Sequence, residues 1–304
     1  MSPRHFLDLH EHSAEEIKHI VSVGHGVKKN RSLHANALAG KTLAMIFEKP
    51  SLRTRVSFDV GMNQLGGHAI MLTGSEIQLK SDTSIPDAAR ALSRYVNLIM
   101  FRTHDHGYLT GLAEHATIPV INGLTNDTHP CQVLADIMAY EEHRGSLTGK
   151  TVAWTGDGRD NVCTSWIHAA MHYQFKFKIA APKGHQPTTE IIAMAHEKGA
   201  FIEVTDDPAS AVKDADCVLT DTWVSMGQEA ESITRREIFT PYQVNAALMA
   251  QAKKDAVFMH CLPAYRGLEV TSDVIDGPQS IVWDAAENRL HAQKAVMLWC
   301  MGVI

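Results

Sequence analysis

The chain has 304 residues, 45% of them hydrophobic and 20% charged, a balance suited to folded α/β domains and unlike disordered, collagenous or coiled-coil sequence. The 28 Lys and Arg against 34 Asp and Glu leave a formal charge of −6, which argues against the basic footprint of a nucleic-acid binder. The longest apolar runs, such as Asn97–Phe101, are strand-sized and too short to span a membrane, and Met1–Phe6 lacks the apolar stretch of a secretory leader.

In chain order the first helical pattern covers Ser13–Lys29, and Gly40-Lys41 then opens a strand over Thr42–Phe47. A helix over Ser51–Leu65, a strand over Ala69–Leu72, a helix over Ile85–Tyr95 and strands over Asn97–Phe101 and Ile118–Ile121 follow. The helix Pro130–Arg144 leads to a second Gly-Lys pair, Gly149-Lys150, which opens the strand Thr151–Thr155. Beyond it come a helix over Asn161–Tyr173, a strand over Lys176–Ala180, a helix over Thr188–Glu197 and a strand over Cys217–Thr220. A helix over Pro241–Lys253, strands over Val257–His260 and Ile281–Trp283, and a last helix over Glu287–Leu298 complete the pattern. Strands that are apolar throughout and alternate with helices predict parallel sheets covered on both faces. The fold class is therefore α/β, in two domains of similar size, each a parallel sheet flanked by helices.

Cys131, Cys163, Cys217, Cys261 and Cys300 are dispersed and form no CxxC, which predicts a reducing, cytoplasmic compartment without disulfides. Among 18 histidines, His168 with His172 and the cluster His104-Asp105-His106 lack a third ligand at a persuasive spacing, so no metal site is expected.

Six polar segments follow strands or open helices. Ser51-Leu52-Arg53-Thr54-Arg55 joins a helix start to hydroxyls and guanidiniums, an anion site suited to phosphate. His129-Pro130-Cys131-Gln132 offers a helix start where His and Gln can bond a carbonyl oxygen and an amide NH2, or merely cap the helix. Gly156-Asp157-Gly158-Arg159-Asp160-Asn161 resembles a dinucleotide loop superficially. It has Asn161 where the third Gly belongs, and the next strand ends without a carboxylate for a ribose, which disfavours NAD. Asp221-Thr222-Trp223-Val224-Ser225-Met226-Gly227, His260-Cys261-Leu262-Pro263 and Glu287-Asn288-Arg289 complete the set.

Taken together and in this order, these segments resemble the aspartate/ornithine carbamoyltransferase family, and its ornithine branch in particular. Ser51–Arg55 is similar to the family's S-T-R-T-R loop with Leu52 in place of Thr, His129–Gln132 matches H-P-x-Q, and Ser225-Met226-Gly227 and His260–Pro263 match S-M-G and H-C-L-P. The resemblance runs from about Phe6 to Trp299. It implies a carbamoyl-phosphate domain over residues 1–133, to which a C-terminal helix 288–304 returns, and an ornithine domain over residues 134–287. It also implies closure of the domains, attack of the ornithine δ-amine on the carbamoyl carbon, citrulline and phosphate as products, and no cofactor or metal. Partners are the two small substrates and further copies of the chain, in a homotrimer or an assembly of trimers.

Carried over residue by residue, the resemblance assigns carbamoyl phosphate to Ser51, Arg53 and Thr54, to the backbone of Leu52, and to Gln78, Arg102, His129, Pro130, Cys131, Gln132, Cys261, Leu262 and Arg289. Gln78 is the residue that can enter a neighbouring subunit's site. Arg102, His129, Asp221 and Cys261 are the catalytic set, with His129 polarising the carbonyl and Cys261 beside the reacting amine. Asn161, Asp221, Ser225 and Met226 match the ornithine contacts. Two departures stand out: Asp160-Asn161 replaces an Asn pair, adding a carboxylate near the amino-acid site, and Lys80–Ser84 is unusual. Putrescine or an N-acylated ornithine is the alternative acceptor, and a non-catalytic binding relative would be expected to lack His129 or the arginines.

Overall fold

The computed structural model describes residues 3–77, 84–224 and 229–304. The chain divides into two units, Met1–Met138 with Glu287–Ile304, and Ala139–Ala286. In the first unit β1 (Thr42–Phe47), β2 (His68–Thr73), β3 (Leu98–Arg102) and β4 (Val120–Leu124) form one parallel sheet in the order β2-β1-β3-β4. In the second, β5 (Thr151–Thr155), β6 (Lys176–Ala180), β7 (Phe201–Thr205), β8 (Cys217–Thr220) and β9 (Val257–His260) are parallel in the order β7-β6-β5-β8-β9.

Both orders reverse direction once. The chain leaves β1 on one side to make β2 and then crosses to β3 on the other; it leaves β5 towards β6 and β7 and then crosses to β8. At such a reversal the loops beyond neighbouring strand ends diverge and open a crevice, where α/β proteins bind ligands. The segment after β1, and those after β5 and β8, are among the polar segments singled out above.

Local chemistry accounts for most element boundaries. Ser13 and Glu16 form a reciprocal capping box that starts the helix Ala14–Lys29. Every residue of β3 and β4 is buried, as expected of strands covered on both faces. Ala44, Ile46, Ile99, Phe101, Leu109 and Leu112 pack in one core cluster of the first unit. Ala153, Val218, Phe258, Val270 and Val282 do the same in the second.

Two expected elements are absent. Ile281–Trp283 is not a strand: Ile281 donates one bond to Phe258 O at 3.0 Å, and the helix Val282–Cys300 begins at the next residue. A three-residue apolar run fits the buried face of a helix as well as a strand. Pro241–Lys253 is not one helix. The N–H of Val244 bonds Glu269 O at 2.9 Å, and Asn245 caps a new turn, Ala246–Met249, by accepting from Leu248 N at 3.0 Å. A short polar side chain that bonds nearby backbone competes with helix continuation. β7 was not anticipated, because Phe201, Glu203 and Val204 are exposed and no apolar run marks it. Among the described residues no helix is long and apolar enough to cross a membrane.

Candidate active site

In the first unit the site grows from the ends of β1 and β3. Phe47 and Arg102 are register partners, and Glu48 N bonds Arg102 O at 3.0 Å, so the segment after β1 starts beside Arg102. The helix Leu52–Gln64 begins there because Ser51 caps it, its Oγ accepting from Thr54 N at 3.4 Å. The first-turn N–H groups and their dipole favour an anion. Leu52 is 76% exposed, so its side chain lies in solvent.

Thr54 is fully buried, and its hydroxyl oxygen is the meeting point of two guanidiniums. Arg102 Nη1 and Arg289 Nη2 each donate to Thr54 Oγ1 at 3.2 Å. Arg289 comes from the closing helix Val282–Cys300 and also reaches the segment after β4. Its Nη1 donates to Gln132 Oε1 at 2.6 Å and faces His129 Nε2 at 3.4 Å. Gln132 is held in turn by Asp136, which accepts from its Nε2 at 2.9 Å. Pro130 opens the helix Pro130–Arg144, and the Cys131 thiol points to Asn122 O at 3.6 Å. Burial pushes that thiol up to about 12, so it stays protonated and unreactive. His129 is held well below the usual imidazole range, first by burial and then by Arg289, Arg102 and Arg53. A neutral ring that accepts at Nε2 carries its proton on Nδ1, where it is a single hydrogen-bond donor.

In the second unit the site grows from β5, β8 and β9. Gly156 has φ 135°, and a Cβ on Gly158 would lie 2.6 Å from Pro187 Cδ and 2.9 Å from His185 O. The two glycines therefore serve a tight turn and a close backbone approach. Asp157 pairs with the buried Arg235, which also donates to Trp223 O at 2.6 Å and so anchors the segment after β8. Asp160 caps the helix Asn161–Tyr173, accepting from Val162 N at 2.7 Å, and Asn161 is its first residue.

Thr220 and His260 are register partners, which sets Asp221 beside Cys261. Cys261 Sγ donates to Asp221 Oδ2 at 3.0 Å, and Thr222 N donates to Oδ1 at 2.7 Å. Leu262 N donates to His260 Nδ1 at 2.9 Å, which puts the proton of the neutral ring on Nε2. That nitrogen faces Glu269 Oε1 at 3.3 Å and Asp221 Oδ1 at 3.9 Å. Cys261, Asp221, His260 and the fully buried Glu269 thus form one polar chain. Leu262 sits at φ 59°, a left-handed conformation that costs a non-glycine residue about 1 kcal/mol or more. Burial raises the Asp221 carboxyl, opposed by His260, Cys261 and Thr222. The ligand atoms of Asp221, His260 and Cys261 lie within 4.8 Å of one another, close enough to hold a metal ion, and here they also face each other as donor and acceptor.

Asp160 is the most perturbed of these carboxyls. Burial, then Asp221 and Asp157, hold it well above 3.8, its value in the unfolded chain. Such a group is neutral and harmless below the unfolded value and loses stability as pH rises through its folded one. Asp160→Asn keeps a good cap and is expected to stabilise the protein by about 1–2 kcal/mol at pH 8, with the gain vanishing towards pH 4. Thermal melts at the two pH values check this, and an equal or lower Tm for the variant at pH 8 contradicts it.

The structure brings Thr54, Arg102, His129, Gln132 and Arg289 together, and separately Asp221 with Cys261. Gln78, Ser225 and Met226 lie outside the described residues, as does most of Lys80–Ser84. Of the histidines weighed for metal, His168 and His172 are buried in the helix Asn161–Tyr173, and His106 Nδ1 contacts Thr125 Oγ1 at 3.1 Å. Sequence reading passed over Glu269 and Arg235, which touch the site's residues only through the fold; no local motif marks either.

The family profile described as "Aspartate/ornithine carbamoyltransferase, carbamoyl-P binding domain" matches residues 4–142, and its counterpart "Asp/Orn binding domain" matches residues 148–300. The ornithine carbamoyltransferase of Nitrobacter winogradskyi is 56% identical over 304 residues, covering 99% of this chain and 98% of the relative. That of Agrobacterium fabrum is 56% identical over 305 residues, covering 100% and 99%. Among solved structures, ornithine carbamoyltransferase from Pyrococcus furiosus superposes with a TM-score of 0.94 at 50% identity, covering 100% of this chain and 98% of that one.

Proposed function

We infer, because the chain belongs to the aspartate/ornithine carbamoyltransferase family, that it transfers the carbamoyl group of carbamoyl phosphate to the δ-amine of L-ornithine, giving L-citrulline and phosphate. The observation that carries the residue assignment is the convergence of Arg102 and Arg289 on Thr54 Oγ1, beside His129 and Gln132 at the start of another helix.

The first unit, with its returning helix, binds carbamoyl phosphate. The capped first turn at Ser51, Leu52, Arg53 and Thr54 takes the phosphate, with Leu52 contributing its N–H alone. Arg102 and Arg289 compensate the charge that grows on the carbonyl oxygen as the amine attacks and on the phosphate as the C–O bond breaks. The neutral His129 donates one hydrogen bond to the carbonyl oxygen, and Gln132 and the backbone at Pro130-Cys131 bind the carbamoyl NH2. The second unit binds ornithine. Asn161 and the segment Ser225-Met226 take the α-carboxylate, and Asp221 takes the α-ammonium. Cys261 and Leu262 lie beside the δ-amine, which must lose a proton before its lone pair attacks the carbamoyl carbon. The C–O electron pair leaves with phosphate; the proton lost from the ammonium before attack passes to solvent, and the second, lost from the nitrogen once the N–C bond has formed, passes to the leaving phosphate or to solvent.

Gln78 completes the site from a neighbouring copy in a homotrimer, and the protein works in the cytoplasm. An assembly is supported by an apolar stripe on the phosphate-binding helix, where Leu52, Val56 and Val60 are 76%, 49% and 39% exposed at a spacing of four residues. The cytoplasm is supported by five cysteines, none of which is in a disulfide.

The test is citrulline formation from carbamoyl phosphate with ornithine, putrescine or N-acetylornithine, on protein whose mass is first read by light scattering. Ornithine is expected to exceed both other acceptors by at least about a hundredfold in kcat/KM, since each leaves a buried polar group unpaired. Putrescine equal to ornithine removes the acceptor assignment, and a monomer mass removes the trimer.

A further inference from the structure

Arg289 meets Gln132, His129 and Thr54 with one edge of its guanidinium, and its other edge is gripped from behind. Gln293, one turn further along the same helix, is fully buried. Its Oε1 accepts from Arg289 Nη2 at 2.8 Å and from Nε at 3.3 Å, while its Nε2 donates to Arg289 O at 3.2 Å and to Ser57 Oγ. Only this amide orientation pairs acceptors with donors, so the network settles it. Ser57 in turn donates to Arg53 O at 2.6 Å, with Thr54 O at 3.3 Å. A single amide therefore links the guanidinium of Arg289 to the first turn of the phosphate-binding helix.

We propose that Gln293 is a positioning residue for carbamoyl phosphate: it sets the plane of Arg289 and ties it, through Ser57, to the turn that carries Arg53 and Thr54. Two consequences follow from its chemistry. Holding the Nε–Nη2 edge with one oxygen leaves the guanidinium one rotational setting, so the entropy of placing the charge is spent on folding rather than on binding. The holder is neutral. A carboxylate in its place would meet the same edge as a bidentate ion pair and cancel the charge that the anion needs. It could not donate to Ser57 either.

The inference rests on the carbamoyl-phosphate reading of this site, and its test separates the two. Gln293→Met removes all four bonds of the amide, Gln293→Glu keeps the shape and adds charge, and Ser57→Ala cuts only the tie to the first turn. Inorganic phosphate binding by calorimetry and steady-state kinetics with both substrates are measured on all three. Gln293→Met is expected to weaken phosphate and raise KM for carbamoyl phosphate by about tenfold, with KM for ornithine within about twofold. Gln293→Glu is expected to weaken phosphate further, although it is close to isosteric, and to regain part of the loss at low pH as the carboxyl protonates. A residue that only supports the fold would lower Tm without this split or this pH dependence. Folded Gln293→Glu and Ser57→Ala that bind phosphate as wild type overturn the inference, whether or not Gln293→Met folds. Wild-type protein that makes no citrulline overturns the proposed function instead, and the phosphate comparison still decides the role of Gln293.

Discussion

Replacing Arg289 by alanine is expected to lower kcat/KM for carbamoyl phosphate by at least about a hundredfold, the loss typical of one preorganised donor aimed at developing charge. The guanidinium is 2% exposed and donates to Gln132 at 2.6 Å and to Thr54 at 3.2 Å. Truncation removes a charge from a water-poor site and leaves the Gln132 carbonyl, the Thr54 hydroxyl and the Gln293 amide without their shared partner. The loss is expected in kcat as well as KM, because the interaction strengthens as phosphate departs. The pH profile carries a second readout. Arg289 is one of three cations that, after burial, hold His129 below the ordinary imidazole range. Without it the ring protonates at a higher pH, so the acid limb of the variant's profile is expected to move towards neutral. Near-normal turnover and an unmoved acid limb would show that the phosphate and carbonyl bind elsewhere.

Asp221→Asn is expected to lower kcat/KM for ornithine by at least about a hundredfold while carbamoyl phosphate binds within about threefold of wild type. Both carboxylate oxygens of Asp221 accept: Oδ1 from Thr222 N at 2.7 Å and Oδ2 from the Cys261 thiol at 3.0 Å. An amide has one acceptor, so one of these donors must face an NH2 group. The variant also loses the negative charge proposed to receive the α-ammonium. The split between substrates is the decisive part. Kinetics with each substrate varied, together with phosphate binding to the variant, separate it from general damage. Full activity in Asp221→Asn, or an equal loss for both substrates, would remove Asp221 from the acceptor half-site.

Much of this protein was legible in its residues alone. The parallel α/β class follows from strands such as Thr42–Phe47 and Thr151–Thr155, whose interiors are continuously apolar and which alternate with helical patterns, because only helices on both faces can bury them. Ser51 and Asp160 sit just before helix starts, and a local rule places them there: a short polar side chain bonds the orphan N–H groups of the first turn. The proposed anion site at Ser51–Arg55 is likewise local, since hydroxyl, guanidinium and helix N-terminus are neighbours in sequence. Where residues lacked such a local cause, the reading failed. Ile281–Trp283 carries no period long enough to separate strand from helix, and Pro241–Lys253 breaks because Val244 finds a partner in Glu269 that no nearby residue announces. Tertiary structure alone decided that Arg102 and Arg289 share one hydroxyl, since they stand 187 positions apart in the chain and only the register of β1 with β3 and the return of the closing helix unite them. It decided, too, that Glu269 stands behind His260 and Gln293 behind Arg289. Neither holder belongs to a motif, because its task is to bond a side chain delivered by the fold, and hydrogen bonds across a fold leave no periodic trace in sequence.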